Sequence, residues 1–318
     1  MARFIVRRLI GMVAVLFAVS ILTFLIFNVV PSSDPAQRMA GKSATPELVA
    51  SITEEWGFDE PLPEQYLTMM RKVLTGDLIS YFGQENVDER IVEGIPATFS
   101  LCAGAAVIWM FFGILFGYLS AVRAGGLLDK ALTIVAVTGI SIPVFWLAAI
   151  LLNYLTYETE IFPSGGYVEF AENPLEWASH LVLPWITLAV VYVGFYSRVL
   201  RSNMLDAIGE DYVRTARAKG LSERRVMTRH VLRNSLIPIV TLFGLDVGAL
   251  LGGAIVIEAV FSLDGIGQYA YESLKNFDLP PVMAIVLFGA FFVVLFNALV
   301  DIAYAYLDPR VKLGESAQ

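Results

Sequence analysis

The sequence is poor in charge and nearly empty of cysteine and histidine. Charged residues are 16% of the 318 positions, where a soluble domain usually carries about a quarter; an ordinary water-solvated globule is excluded. The single cysteine, Cys102, rules out an intrachain disulfide. The two histidines, His180 and His230, stand at no metal-ligand spacing, and no metal site is expected. H-E-x-x-H, paired carboxylates and a Ser/His arrangement at a common depth are all missing, which leaves an intramembrane enzyme without chemistry. One loose nucleotide-binding match occurs, Ala36-Gln-Arg-Met-Ala-Gly-Lys-Ser43. A phosphate cradle needs a Gly-rich loop between a strand and a helix N-terminus. This segment has one glycine and follows an apolar helix, so no nucleotide site and no cofactor are expected.

What the sequence has is apolar residues, 57% of the chain, gathered into six runs: Leu9–Val30, Phe99–Val122, Ala131–Leu155, Leu181–Leu200, Leu236–Phe261 and Val282–Leu307. About 20 such residues cross the ~30 Å hydrocarbon core. Lipid offers the backbone no hydrogen bonds, so each run must be helical. The expectation is an all-α membrane protein with six transmembrane helices in one domain, residues 1–318. The first run is longer than a signal-peptide core and no A-x-A site follows it, so it reads as a retained helix.

Basic residues set the orientation. With the N-terminus cytoplasmic, the inner side holds Arg3, Arg7, Arg8, Arg123, Lys130, Arg198, Arg201, Arg214, Arg217, Lys219, Arg224, Arg225, Arg229, Arg233, Arg310 and Lys312. Arg38, Lys42, Arg71, Lys72, Arg90 and Lys275 remain outside. Both termini are therefore expected in the cytoplasm, and the net charge of −8 conceals a basic inner face and an acidic outer one. Residues 31–96 form an outer cap with helical patterns at Glu47–Glu55 and Glu64–Leu74. The loop Glu158–Glu176 reads as irregular, and Phe261–Pro281 as a Gly265/Gly267 turn followed by a short helix over Tyr269–Asn276. Gly113/Gly117 and Gly244/Gly248/Gly252 stand at helix-packing intervals; no long repeat is visible.

Ionisable residues inside a bilayer are costly and usually face a cavity or a partner. Asp246 is central in the fifth run and is a candidate for a translocation path, with a bond to a neighbouring helix as the structural alternative. Glu258 lies near the outer end of that run and is a candidate for the same path, with a gate or interface role as its alternative. Asp301, Asn28 and Asn153 are weaker candidates. The loop 201–235 is basic and amphipathic, with Ala216, Ala218 and Gly220 set among arginines. Small residues on a short helix allow close docking into a partner's groove while arginines pair with carboxylates. The orientation rule alone would also make this loop basic.

Tyr212-Val-Arg-Thr-Ala-Arg-Ala-Lys-Gly-Leu221, followed by His230-Val-Leu-Arg-Asn234 and Pro238, resembles the cytoplasmic signature of ABC-importer permeases, in its dipeptide/oligopeptide/nickel branch. Ala216 and Gly220 keep the general importer pattern. Arg214 and Thr215 replace its Glu and first Ala, as that branch does. Asp34-Pro35, Pro61-Leu62, Gln65-Tyr66, Gly76-Asp-Leu78, Ile95-Pro-Ala-Thr98, Gly252-Gly253, Glu258, Phe261-Ser262, Gly265, Gly267 and Asp308-Pro-Arg310 extend the resemblance nearly end to end. Ser33, Asp264 and Ile79-Ser80 depart from the branch. The resemblance implies a type I importer half-pore in the cytoplasmic membrane, without an ATP site of its own. Its implied partners are a second homologous permease, two cytoplasmic ABC ATPase subunits, an extracytoplasmic solute-binding protein and membrane lipid, with no nucleic acid. Arg214, Thr215, Ala216, Arg217, Ala218, Gly220 and Leu221 would couple it to the ATPase. The implied solutes are dipeptides or oligopeptides, with oligosaccharides and nickel chelates in the same branch. A secondary transporter without an ATPase would more often show half-repeats with broken helices.

Overall fold

The structure, a computed structural model, describes residues 2–29, 34–41, 44–251 and 254–307. Ser33, Lys42-Ser43, Gly252-Gly253 and Asp308-Pro-Arg310 lie outside them. Along the chain run α1 (Ala2–Phe24, continued by a π-helical turn Leu25–Val29), α2 (Pro35–Ala40), α3 (Pro46–Trp56), α4 (Leu62–Thr75), α5 (Val87–Val122), α6 (Leu127–Ser141) and α7 (Val144–Leu152). Then follow α8 (Pro174–Ile208), α9 (Asp211–Ala218), α10 (Glu223–Arg225, extended by a π-helical segment Val226–Leu232), α11 (Arg233–Leu251), α12 (Ile255–Val260), α13 (Ile266–Asn276) and α14 (Leu279–Leu307). Among the described residues there is no strand beyond one isolated bridge, Ile79 with Asn86.

Among the described residues, five helices are long and apolar enough to cross a membrane, and a sixth span is counted if the pair Leu127–Ser141 and Val144–Glu158 is taken together. That pair corrects the sequence expectation of one continuous run over Ala131–Leu155: it bends by 95°. The cause is Pro143. A proline's ring pushes the preceding residue out of the helical region, and Ile142 is extended, at φ −77° and ψ 125°. Pro96, Pro184 and Pro238 are instead absorbed within continuous helices. Two other spans overshoot the apolar runs, α5 with 36 residues and α8 with 35.

The chain forms two compact units, Met1–Phe99 with Gly248–Gln318, and Ser100–Val247. The first carries the cap. Thr45 caps α3 by accepting from Leu48 N, and Gly57, at φ 64°, ends it in the left-handed conformation that costs glycine least. Gln65 Nε2 holds the intervening breaker by donating to the carbonyls of Phe58 and Glu60. Ile52, Trp56, Met69 and Leu78 bury themselves in one core with Ile266, Met283 and Ile285. Tyr66 fastens α4 to α1: its hydroxyl is 2.7 Å from Ser20 Oγ and its ring meets Phe24 edge-on. Ala36, Met39 and Ala40, from the nucleotide-like segment, are buried in the same core, as packing residues.

Buried Asp278 pins the 79–83 turn, accepting from Ser80 Oγ and from the amides of Tyr81 and Phe82. Burial raises its carboxyl above the ordinary value despite these donors. The docked turn therefore keeps a proton that an opened turn has released. This contribution is full below the ordinary carboxylate pKa and fades as pH rises through the raised one. Amides in this turn are expected to be better protected from hydrogen exchange in mild acid than at neutral pH, after correction for intrinsic rates. Asp278→Asn is expected to flatten the difference.

Candidate coupling helix and intramembrane carboxylates

In the second unit, α8 continues far enough to take in Arg201, so the 201–235 loop is largely helical. Glu210 starts α9, and Val213 and Ala216, three apart on one face, are buried. They pack toward the π-helical segment, whose Val226, Met227 and Val231 are buried as well. The opposite face, with Arg214, Thr215, Arg217 and Ala218, is exposed.

Gly220 has a conformational reason to be glycine. It sits at φ +78°; its N–H reaches the Arg217 carbonyl at 2.9 Å and the Leu221 N–H reaches that of Ala216 at 3.3 Å. These two bonds are the Schellman pattern that closes a helix C-terminus. Arg217 then bridges the turn, donating from Nε and Nη2 to the two carboxylate oxygens of Glu223. Of the seven coupling candidates, the structure presents Arg214, Thr215, Arg217, Ala218 and Gly220 on the surface. It turns Ala216 inward and leaves Leu221 half-buried.

The two carboxylates of the fifth apolar run differ. Asp246, on α11 and partly exposed, accepts a 2.6 Å hydrogen bond from the hydroxyl of buried Tyr196 on α8. The helix-to-helix bond is thus present, on a residue that is only half-buried. Glu258, expected on a translocation path, is 0% exposed. It accepts from Thr98 Oγ1, Ala254 N, Gly267 N and Gln268 N at 2.7–3.3 Å. The Ile266 amide goes to Thr98 Oγ1 at 2.9 Å.

Ile266, Gly267 and Gln268 open α13, whose N-cap residue, Gly265, has no side chain to cap with. The first amides of a helix lack partners within it, and here Glu258 and Thr98 satisfy three of them from other elements. Gly265 and Gly267 allow the approach: a Cβ on the first would strike the Glu258 carboxylate, and one on the second would lie 2.9 Å from Ile255 backbone atoms. Glu258 is thus fully buried and occupied by four donors, a structural role that its place in the sequence did not signal. Sequence reading did not single out the capping role of Thr98, nor Asp129, Arg201 or Asp278.

These features define a polytopic α-helical membrane protein with an amphipathic helix between spans. The comparisons give the family. Residues 113–313 match the binding-protein-dependent transport system inner membrane component family, and residues 1–102 match that family's N-terminal region. The chain belongs to this family and is a multi-pass protein of the cytoplasmic membrane. It is 37% identical over 313 residues to the probable peptide ABC transporter permease y4tP of Sinorhizobium fredii, covering 98% of this chain and 100% of that one. It is 35% identical to the dipeptide transport system permease DppB of Bacillus subtilis and 36% identical to that of Escherichia coli K12, each over 98% of this chain and 99% of the relative. Among solved structures, a chain of the MetNI methionine ABC transporter in an inward-facing conformation aligns with a TM-score of 0.56. It is 18% identical and covers 69% of this chain and 96% of that one, a likeness of fold.

Proposed function

We propose that this chain is one of two pore-forming subunits of an ATP-driven importer of peptides, with both termini and α9 in the cytoplasm. The ATP would be bound and hydrolysed by partner subunits, and an extracytoplasmic binding protein would deliver the solute. The peptide assignment is supported by the relatives, which cover the chain nearly end to end. The docking assignment is supported by α9 itself. Its Val213 and Ala216 are used inside the chain, and its basic face with the small Ala218 is exposed and would enter a partner's groove. Arg214 and Arg217 would meet carboxylates there, and ATP-driven closure would rock the membrane helices as rigid bodies. Asp246, half-buried where Glu258 is fully buried, is the residue of this pair that would meet solute.

Tagged chain recovered from its native membrane is expected to bring down an ATPase and a second permease. Ala218→Trp is expected to lose the ATPase and keep the second permease, because residue 218 is exposed and ordinarily helical. Gly220 is a poorer probe, since any side chain there is strained by the positive φ. Equal ATPase recovery by Ala218→Trp and the native chain would remove α9 from the interface.

A further inference from the structure

Asp129 and Arg201 form a built polar site that the docking surface does not use. Asp129 stands in the first turn of α6 and is 3% exposed. Arg201 donates to both of its carboxylate oxygens, from Nε at 2.7 Å and from Nη2 at 2.8 Å. Ser120 Oγ on α5 donates to Oδ1, and the Gly125 amide donates to Oδ2 at 2.7 Å. One carboxylate thereby joins α5, the turn after it, α6 and α8, and the planar fork of Arg201 fixes its angle. Arg201 lies about two helical turns before the end of α8, and α9 starts three residues after that end.

Farther along the same helices the backbones nearly touch. A Cβ at Gly113 would lie 2.8 Å from Tyr196 Cβ, and one at Gly117 would lie 2.8 Å from the Ser197 carbonyl oxygen. On the other flank of α8, a Cβ at Gly139 would be 3.1 Å from the Val190 carbonyl oxygen, and one at Gly194 would be 2.5 Å from that of Ala136. Contacts this close make packed helices bistable rather than continuously deformable. Helix α8 is therefore gripped by α5 on one flank and by α6 on the other, and the ion pair locks the end that leads to α9.

We infer that Asp129 and Arg201 are positioning residues for coupling: they make α5, α6 and α8 move as one lever, so that displacement of α9 reaches the membrane helices instead of bending the end of α8. The inference rests on α9 being the docking helix.

The test uses the complete complex in proteoliposomes, with peptide uptake and ATP hydrolysis measured on the same vesicles. Arg201→Lys keeps the charge and loses the fork. It is expected to keep the ATPase and its hydrolysis rate while peptide moved per ATP falls roughly fivefold or more, the low end of ordinary coupling. Swapping the pair, Asp129→Arg with Arg201→Asp, is expected to recover part of that ratio. A merely structural staple would lower melting temperature, hydrolysis and uptake together and leave the ratio native; that result overturns the lever. The two readings separate through Ala218→Trp. Loss of the ATPase there with a native ratio in Arg201→Lys sinks the lever alone, whereas a retained ATPase and full uptake there sinks the docking reading beneath it.

Discussion

Glu258→Ala is expected to lower the amount of folded protein in the membrane several-fold or more. Four donors converge on this carboxylate with no exposed surface. A buried donor left without an acceptor costs about 1–3 kcal/mol, so losing the carboxylate costs on the order of 3 kcal/mol or more, even with local relaxation. A typical domain has about 5–15 kcal/mol in total. Glu258→Gln keeps one acceptor oxygen and turns an amide toward donors, and is expected to fall between alanine and wild type. Thr98→Val removes two links, the donation to Glu258 and the acceptor of the Ile266 amide, and leaves that amide without a partner, at about 1–3 kcal/mol. Membrane abundance and the melting temperature in detergent read the series. Full abundance with abolished transport would contradict this structural role and favour a place for Glu258 on the translocation path.

The second large effect is expected at Gly194. A methyl group there would lie 2.5 Å from the Ala136 carbonyl oxygen and 2.8 Å from Ile140 Cγ1. The backbone atom cannot rotate aside, so α6 and α8 must separate. Overpacking of this kind costs about 1–3 kcal/mol, and Gly194→Ala is expected to lower the melting temperature by several degrees. Gly11→Ala is the control. Nothing lies within 4 Å of a Cβ there, and the substitution is expected to be neutral or mildly stabilising. Equal melting of the two variants would mean that α6 and α8 are not held as closely as described.

Much of this was legible in the sequence, for identifiable reasons. Spans show because lipid forces every apolar run of sufficient length into a helix. The cap helices show because their stop signals are local: Thr45-Pro46 opens α3, and Gly57 and Gly76 close α3 and α4 in left-handed geometry. The helix proposed to dock, α9, is marked in the sequence by its small residues among arginines, although the sequence could not tell Ala216 from Ala218. Only the packing of the π-helical segment turns one inward and leaves the other exposed.

What remained hidden depends on contacts distant in sequence. The acceptors of Glu258 and Thr98 serve one helix terminus from positions 160 apart. Asp129 and Arg201 are separated by 72 residues. Their shared level was readable in principle, because one opens the third apolar run and the other closes the fourth, on the same side of the membrane. The break at Ile142-Pro143 had a signal too. Composition alone did not separate it from Pro96, Pro184 and Pro238, which helices absorb.

The most direct measurement is uptake of a labelled dipeptide by proteoliposomes holding the native complex isolated through this chain, with and without ATP on the side of the ATPases. Accumulation that requires both hydrolysable ATP and the binding protein is the predicted result. Equal dipeptide entry without ATP, in vesicles holding this chain alone, would contradict the account and make the protein an independent carrier.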